Sequence, residues 1–377
     1  MVEVMQDPRV VSPRSTVTGM LSRRIFIGSA MACVACSERS IGAGAEGSHG
    51  PLVPLSSVAR FPIGGALNSA DLNDPTLMAL FKANFSQVTP GYEMKMGPIV
   101  RTSGQFDYTQ ADLVADYAAA NNMALHGHTL VWYKSEPEAF KRIEGDRIAF
   151  AALYKRYITE TVTHYRNRAR GWDVVNEPVT HDGTGLRDCL WSRVLGAEDY
   201  MVDAFDHAHR AAPESRRFIN DYGLEEPGKR RLFMALVERL LKRGAKLNGI
   251  GTQTHVKIDL PTGALTDTIK DLASFGLPVH VSELDISYGH RSVDLRTAAT
   301  KSALQADRAA ELVRAYAKLP EKQQYAITIW GVRDRDSWLR HDPFPTTGDA
   351  PLLFDDDGQP KPMLHAMLDA FRETARR

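Results

Sequence analysis

Short apolar segments and amphipathic segments alternate along this chain, and this alternation restricts the fold more than any other feature. Eight segments are apolar or β-branched runs, as expected for strands that are covered on both faces. They are residues 61–67, 84–88, 124–129, 171–176, 217–221, 249–254, 278–283 and 326–330. Helical patterns lie between them. Eight strands in alternation with helices predict a closed (β/α)8 barrel, a TIM barrel of the α/β class, rather than an open sheet.

The length of the chain is compatible with one such barrel. A single barrel with insertions often exceeds about 250 residues, and this chain has 377. A stretch with Gly, Ser and Pro precedes the first predicted strand, and the pattern shows no second domain. We therefore predict a linker over residues 46–57 and one barrel domain over residues 58–377.

The N-terminal segment, residues 1–45, has the pattern of an export signal. Arg23 and Arg24 precede the apolar run 25–35, which is too short to be a permanent membrane span. Paired arginines before a short apolar run match the twin-arginine export pattern. We therefore expect a periplasmic or secreted protein. Lipid anchoring through an acylated Cys36 is the alternative.

The charge and cysteine content narrow the choice of partners. The 46 basic and 46 acidic residues give a net charge of zero, so no overall field attracts nucleic acid or an anionic membrane. We expect no nucleic-acid partner, no stable membrane span, no metal, no cofactor and a monomeric protein. Cys189 is the only cysteine after the export segment, so we expect a buried thiol without a disulfide.

Polar and aromatic side chains follow most of the predicted strands. Barrel enzymes carry their active sites at this end of the strands, and a scaffold alone has no need for such a ring. The ring comprises Glu93, Lys95, His128, Trp132, Asn176, Glu177, Asn220, Asp221, Tyr222, Gln253, His255, Glu283, Asp285, Trp330 and Trp338. The sequence therefore predicts an active site here.

Glu177 and Glu283 end the fourth and seventh predicted strands, which face each other across an eight-stranded barrel. Their carboxylates can therefore flank one glycosidic bond. Hydrolysis of that bond needs one protonated carboxyl for the leaving oxygen and one ionised carboxylate that attacks the anomeric carbon. Each glutamate alone would be an ordinary salt-bridged residue. Together with Asn176 and the aromatic ring, the pair favours a glycoside hydrolase.

His255 and Asp285 are predicted to support Glu283. Glu283 and Asp285 are two residues apart and point to the same face of a continuing strand. A neutral His255 between the two carboxylates would hold Glu283 ionised and oriented. Trp132, Trp330 and Trp338 offer flat rings for sugar faces, whereas Trp172 is expected in the core.

Motifs in a fixed order along the chain resemble family 10 of the glycoside hydrolases, the endo-β-1,4-xylanase family. They are HGHTLVW at 126–132, WDVVNEP at 172–178, GIGTQTH at 249–255, VSELD at 281–285, and ITIWGV at 327–332 followed by DSW at 336–338. The resemblance covers about residues 58–375.

The resemblance implies a retaining endo-β-1,4-xylanase that acts on xylan or xylo-oligosaccharides, with Glu177 as acid/base and Glu283 as nucleophile. It also implies that the sugar subsite next to the cut is lined by Lys95, His128, Asn176, Gln253 and Trp330. Further substrate contacts are expected from Trp132, Tyr222, Trp338 and Tyr92.

The segment after the second predicted strand departs from the family. Members usually have Thr-Pro-Glu-Asn-Glu-Met-Lys-Trp, and residues 89–96 are Thr-Pro-Gly-Tyr-Glu-Met-Lys-Met. Gly91 and Tyr92 replace the Glu-Asn pair that normally binds the second sugar on the non-reducing side, and Met96 replaces the Trp. Tyr133 likewise replaces a His. We expect an intact catalytic centre and an altered second glycone subsite, with room for a branch at Gly91.

There are three alternatives to the predicted xylanase function. A related β-glycosidase of the same fold would act on decorated xylan or another β-glycan because of the altered subsite. A metal-dependent barrel hydrolase would begin with the His126-x-His128 pair, but the carboxylate and Lys ligands that complete such sites have no matching signal. A carbohydrate-binding protein without catalysis is disfavoured, because both glutamates are present.

Overall fold

A closed barrel of parallel strands forms the centre of the computed structural model, which describes residues 52–289, 295–341 and 348–375. The strands are β1 (Ile63–Leu67), β2 (Gln87–Pro90), β3 (Ala124–Trp132), β4 (Ala169–Asn176), β5 (Arg216–Asp221), β6 (Gly249–Thr252), β7 (His255–Lys257), β8 (Val279–Ser287) and β9 (Gln324–Ile329). Neighbours pair in the order β1 to β6, then β8 and β9, and β9 pairs with β1. The predicted TIM barrel is confirmed.

Helices follow the strands and cover the barrel. They are α1 (Pro75–Asn84), α2 (Met96–Ile99), α3 (Thr109–Ala120), α4 (Glu138–Lys141), α5 (Arg147–His164), α6 (Leu190–Leu195), α7 (Asp199–Ala211), α8 (Pro227–Lys242), α9 (Ala264–Ala273), α10 (Ala298–Ala317) and α11 (Pro362–Ala375). Their apolar faces pack on the strands in one continuous core, which includes the fully buried Trp172 and Trp191. The Cys189 side chain is buried as a free thiol, as expected. Within the described ranges, no helix combines the length and the apolarity needed to cross a membrane.

Two boundaries near the N-terminus differ from the predictions. The second predicted strand began at residue 84, but Asn84 ends α1, where its side chain donates to the Leu80 carbonyl at 3.0 Å. The strand begins only at Gln87. The side chain of Leu55 is fully buried, so the packed chain starts inside the segment predicted as a linker, residues 46–57. The predicted export signal lies outside the described residues.

The strand ends near the active site contain irregularities that place side chains. The chain turns after β6 through Thr254, whose φ of 61° is left-handed. The short strand β7 then pairs with the extension of β8, and His255 lies in register with Asp285. Glu177 follows β4 with a φ of 56°, a conformation that residues other than glycine adopt rarely. Each of these turns directs a polar side chain toward the barrel opening.

Candidate active site

The two glutamates occupy opposite sides of the same barrel end. Glu177 directly follows β4, and Glu283 lies on β8. Their exposed fractions are 8% and 4%. Burial of this kind is costly for a carboxylate unless hydrogen bonds or charges compensate, so the partners of each group define its chemistry.

A chain of amide side chains connects the two carboxylates. Asn220 Nδ2 donates to Glu283 Oε1 at 2.9 Å and to Asn176 Oδ1 at 2.9 Å. Gln253 Nε2 donates to Glu177 Oε1 at 3.1 Å and lies 3.4 Å from Asn176 Oδ1. The structure therefore brings Glu177, Glu283, Asn176 and Gln253 together in one hydrogen-bonded group.

Asn220 holds this group together, although sequence reasoning gave it no role beyond membership of the strand-end ring. Its side-chain oxygen accepts a hydrogen bond from Ser282 Oγ at 2.8 Å. Both ends of the amide are therefore occupied, which fixes its orientation. The only signal in the sequence was its position near the end of a predicted strand.

An ionic triad surrounds Glu283. His255 Nδ1 lies 2.8 Å from Asp285 Oδ2, and His255 Nε2 lies 3.4 Å from Glu283 Oε2. Burial alone would lower the pKa of His255, but the charges and hydrogen bonds of Asp285 and Glu283 raise it to about 10. The expectation of a neutral His255 was therefore wrong, because two carboxylates outweigh the cost of burial.

The protonated histidine acts on Glu283 in turn. Burial alone would raise the pKa of Glu283, but His128 and His255 lower it below its usual value. Glu283 is consequently held ionised near neutral pH. The support predicted for this carboxylate is present, with a cation in place of a neutral ring.

Aromatic rings line the same opening. Trp338 Nε1 donates to Asp285 Oδ2 at 2.9 Å, while 43% of the Trp338 side chain remains exposed. The ring of Trp330 meets the His128 ring edge-on, with centroids 5.2 Å apart. Partly exposed indoles next to a carboxylate pair suit the faces of pyranose rings.

Lys95, His128 and Trp132 lie on the β2–β3 side of the opening. Lys95 Nζ is 4.7 Å from the centroid of the Trp132 ring. Burial lowers the pKa of Lys95, against the opposing charges of Glu283, Glu177 and Glu93. Lys95 thus lies close enough to both predicted catalytic carboxylates for their charges to affect its pKa.

Asp173 and two histidines lie nearby, inside the barrel. The Asp173 carboxylate is 2.8 Å from His128 Nδ1 and 3.2 Å from His126 Nε2. Burial by itself would raise the pKa of Asp173. The two imidazoles have the larger effect and hold this pKa below its usual value. Asp173 therefore fixes the orientation of His128, a contact that the sequence did not signal.

His126 also belongs to a set of donors of the kind that binds metals. In the described ranges, His126, Asp173 and His280 offer ligand atoms that lie within 4.8 Å of one another. Two donors on a zinc ion are at most about 4.2 Å apart, because each bond is about 2.1 Å. Ligand atoms that lie within 4.8 Å of one another therefore do not by themselves define a zinc site. The sequence did not reveal that Asp173 and His280 lie next to His126.

The loop after Glu177 is held by Arg187. Arg187 Nε donates to the Glu177 carbonyl at 3.0 Å, and its terminal nitrogen donates to Val179 O at 2.9 Å and to Tyr222 Oη at 3.2 Å. Tyr222, predicted to contact substrate, therefore lies beside this loop, with its hydroxyl also 3.2 Å from His181 Nδ1. Sequence reasoning missed Arg187, which lies in the loop between β4 and α6 without a recognisable motif.

A buried ion pair supports the same side of the site. Lys229 Nζ lies 2.9 Å from Asp221 Oδ1, and Val179 N donates to Asp221 Oδ2 at 3.0 Å. Burial raises the pKa of Asp221 to about 6, although Lys229 opposes the change. Asp221 is thus a structural support of the Glu177 loop.

The altered loop after β2 lies against the residue that follows β1. A Cβ atom at Gly91 would lie 2.8 Å from Asn68 Oδ1, so the Asn68 side chain lies next to the place where room for a branch is predicted. Tyr92 is 54% exposed at the rim. Glu93 Oε1 accepts from Ser69 N at 2.6 Å, which ties this loop to the end of β1.

A buried carboxylate pair at the strand ends of a TIM barrel defines the class of a barrel glycoside hydrolase. The chain belongs to glycosyl hydrolase family 10, which matches residues 55–370. The resemblance seen in the sequence is therefore confirmed.

Relatives and solved structures agree with this assignment. The chain is 34% identical over 325 residues to the endo-1,4-β-xylanase B of Paenibacillus barcinonensis, covering 82% of this chain and 96% of the relative. It is 35% identical over 333 residues to an exoglucanase of Acetivibrio thermocellus, covering 84% of this chain and 29% of the relative. The structure of xylanase B from Clostridium stercorarium F9 matches with a TM-score of 0.76 at 30% identity, covering 84% of this chain and all of the other.

The lengths of the relatives differ widely from that of this chain. The chain spans 46% and 27% of two further xylanase relatives. The chain therefore corresponds to part of these longer proteins.

Proposed function

We propose that the protein is a retaining endo-β-1,4-xylanase. The observation that carries the proposal is the pair of buried carboxylates, Glu177 and Glu283, joined by amides but set in different surroundings. Glu283 faces the protonated His255, whereas Glu177 Oε1 receives hydrogen bonds from neutral amides. The xylanase names of several relatives support xylan as the substrate.

The proposed reaction has two steps. Glu283 attacks the anomeric carbon and forms a glycosyl ester, while Glu177 gives its proton to the leaving oxygen. Glu177 then takes a proton from water, the water attacks the anomeric carbon, and the bond to Glu283 breaks. His255 and Asp285 keep Glu283 ionised, and Asn176 is placed to bind a hydroxyl of the sugar next to the cut.

The stereochemistry of the first product tests this proposal. We expect xylohexaose to be cut at internal bonds and the first product to have the β configuration in a proton NMR time course. Retention requires carboxyl groups about 5–5.5 Å apart, whereas inversion needs about 6.5–9.5 Å. An α-configured first product would contradict retention, and release of only terminal units would contradict an endo-acting enzyme.

A second candidate is a β-glycosidase that accepts decorated xylan or another β-glycan. The altered residues Gly91 and Tyr92 favour it, as does the exoglucanase name of one relative. Rates on unbranched xylan, arabinoxylan, glucuronoxylan and β-1,4-glucan separate the candidates. Assays after exhaustive chelation test the metal-dependent alternative, which requires that activity be lost.

We also propose export by the twin-arginine route, because Arg23 and Arg24 precede a short apolar run. Replacement of both arginines with lysine should leave the enzyme in the cytoplasm. Undiminished export of that variant would indicate another pathway.

A further inference from the structure

Lys134 lies at the rim of the opening, on the turn that follows β3. Ser135 N donates to Trp132 O at 3.0 Å and closes this turn. The buried Ser135 hydroxyl accepts from Gly97 N at 2.7 Å, which links the turn to the segment that follows the altered loop. The backbone of Lys134 is therefore fixed, while its side chain is exposed.

The ammonium group of Lys134 lies beside two aromatic rings. Its Nζ atom is 5.6 Å from the ring centroids of both Trp132 and Tyr133. Lys95 approaches the Trp132 ring more closely. Trp132 thus has one buried and one exposed ammonium nearby, and Lys134 adds positive charge where the aromatic surface meets solvent.

The charges of the two lysines are balanced differently. Lys95 interacts with the carboxylates of Glu93, Glu177 and Glu283. In the parts of the chain that the structure describes, Lys134 has no carboxylate within ion-pair distance. Glu136, two residues away, uses its carboxylate to accept from Leu190 N at 2.8 Å. The charge of Lys134 is therefore available to a ligand.

The altered loop leads into the segment that is tied to the Lys134 turn. Gly91 stands where the family usually has a glutamate, and Gly97, further along this segment, donates to Ser135 next to Lys134. The loop thus lacks one acidic group, while Lys134 places an exposed cation at the opening. This combination favours an anionic ligand.

We propose that Lys134 makes the enzyme prefer xylan chains that carry a hexuronic acid branch on the glycone side of the cut. The branch carboxylate would pair with the Lys134 ammonium, and the branch ring would lie near Tyr133. This inference rests on the proposed xylanase function, because it concerns a branch on that substrate. Exposed ion pairs are weak and sensitive to salt, so the preference should be modest and should decrease with ionic strength.

A matched pair of substrates tests the preference. One is a xylo-oligosaccharide with a single 4-O-methylglucuronic acid branch, and the other is the same compound with the carboxyl reduced to a primary alcohol. The readout is the ratio of kcat/KM for the acidic over the reduced substrate, measured at 20 mM and 500 mM salt. Lys134→Met removes the charge and keeps a long apolar side chain. Lys242→Met is the matched control, because Lys242 is exposed at the C-terminal end of α8, at the other end of the barrel.

We expect a ratio of about two to five for the native protein and for Lys242→Met at low salt, the size of one exposed ion pair. The ratio should approach one in Lys134→Met and at high salt, and the uronic acid should be on the glycone product. A native ratio of one or less, or a ratio unchanged by Lys134→Met, would overturn the inference. Cleavage of unbranched xylohexaose distinguishes failure of this inference from failure of the proposed function. If it is cleaved while the ratios are flat, only this inference fails, whereas no cleavage of any xylo-oligosaccharide overturns the proposed function.

Discussion

Glu283 and Glu177 have similar burial but different partners. Glu283 lies in an ionic environment in which His255 bridges it to Asp285, and its pKa is lowered despite burial. Glu177 Oε1 meets the amides of Gln253 and Asn176, and its backbone is left-handed. A cation next to a carboxylate favours its ionised form, and the His255 ring is in contact with Glu283. The comparison favours Glu283, on β8, as the nucleophile.

The largest effect is expected on the nucleophile side. Glu283→Ala should reduce kcat on every substrate by about 10⁴-fold or more, because the carboxylate that forms the glycosyl ester is then missing. Addition of azide should restore turnover and yield an α-glycosyl azide, since azide attacks from the vacated face. A Glu283→Ala enzyme with near-native activity on xylan would exclude Glu283 as the nucleophile.

The acid/base side should depend on the leaving group. Glu177→Ala should lower kcat/KM on xylan by about 10²–10⁴-fold. An aryl xylobioside with a dinitrophenolate leaving group should form the glycosyl ester at near-native rates, because this leaving group needs no proton. Burst kinetics measure that step directly. Equal losses on both substrates would argue against the acid role of Glu177.

The ionic environment of Glu283 predicts a pH dependence for activity and for His255. Glu283 must be ionised, so activity falls as the pH drops through its lowered pKa. Asp285→Asn removes the carboxylate that does most to raise the pKa of His255 against burial. The pKa of His255 should therefore fall, and an NMR titration of its imidazole should show the ring losing its proton at a lower pH than in the native enzyme.

Trp338→Phe is the control for that experiment. It removes the 2.9 Å hydrogen bond to Asp285 without changing any charge, so the imidazole titration of His255 should stay close to that of the native enzyme. Equal shifts in the two variants would show that packing, rather than the charge of Asp285, sets the pKa of His255.

The smallest effect concerns the backbone of Glu177. Its φ is 56°, and a left-handed residue other than glycine costs roughly 1–2 kcal/mol. Glycine avoids this cost, although it also gains freedom in the unfolded chain. The unfolding free energy of the Glu177→Gly variant should therefore be higher than that of the Glu177→Ala variant by up to about 1 kcal/mol. Urea titration measures the difference.

Glu283 provides the matched pair, because it lies within the extended strand β8. There the order should reverse, with Glu283→Ala more stable than Glu283→Gly by about 0.5–1 kcal/mol. The same order at both positions would mean that the left-handed turn at residue 177 carries no strain.

The barrel and the location of the site could be predicted because both depend on local patterns. Apolar runs define the strands, and the polar residues that follow them meet at one end of any such barrel. The spacing of Glu283 and Asp285 likewise places both on one face of a strand. These predictions use neighbouring residues only, and the structure agrees with them.

Contacts between distant segments could not be predicted in the same way. Asn220 bridges β4 and β8 through side-chain atoms whose positions depend on the register of several strands. The pairing of Lys229 with Asp221 depends on where α8 begins. The protonation of His255 depends on the sum of burial and two charges, which no residue spacing reveals.

The contact between Gly91 and Asn68 has a consequence for mutations at residue 91. A glutamate introduced at residue 91 would have its Cβ 2.8 Å from Asn68 Oδ1, so the Asn68 side chain must move first. The two positions are therefore coupled. Because the atom in the way is the end of a side chain, a change of the Asn68 rotamer accommodates the acid at low cost. Restoration of the usual family residue at position 91 therefore depends on the conformation of residue 68.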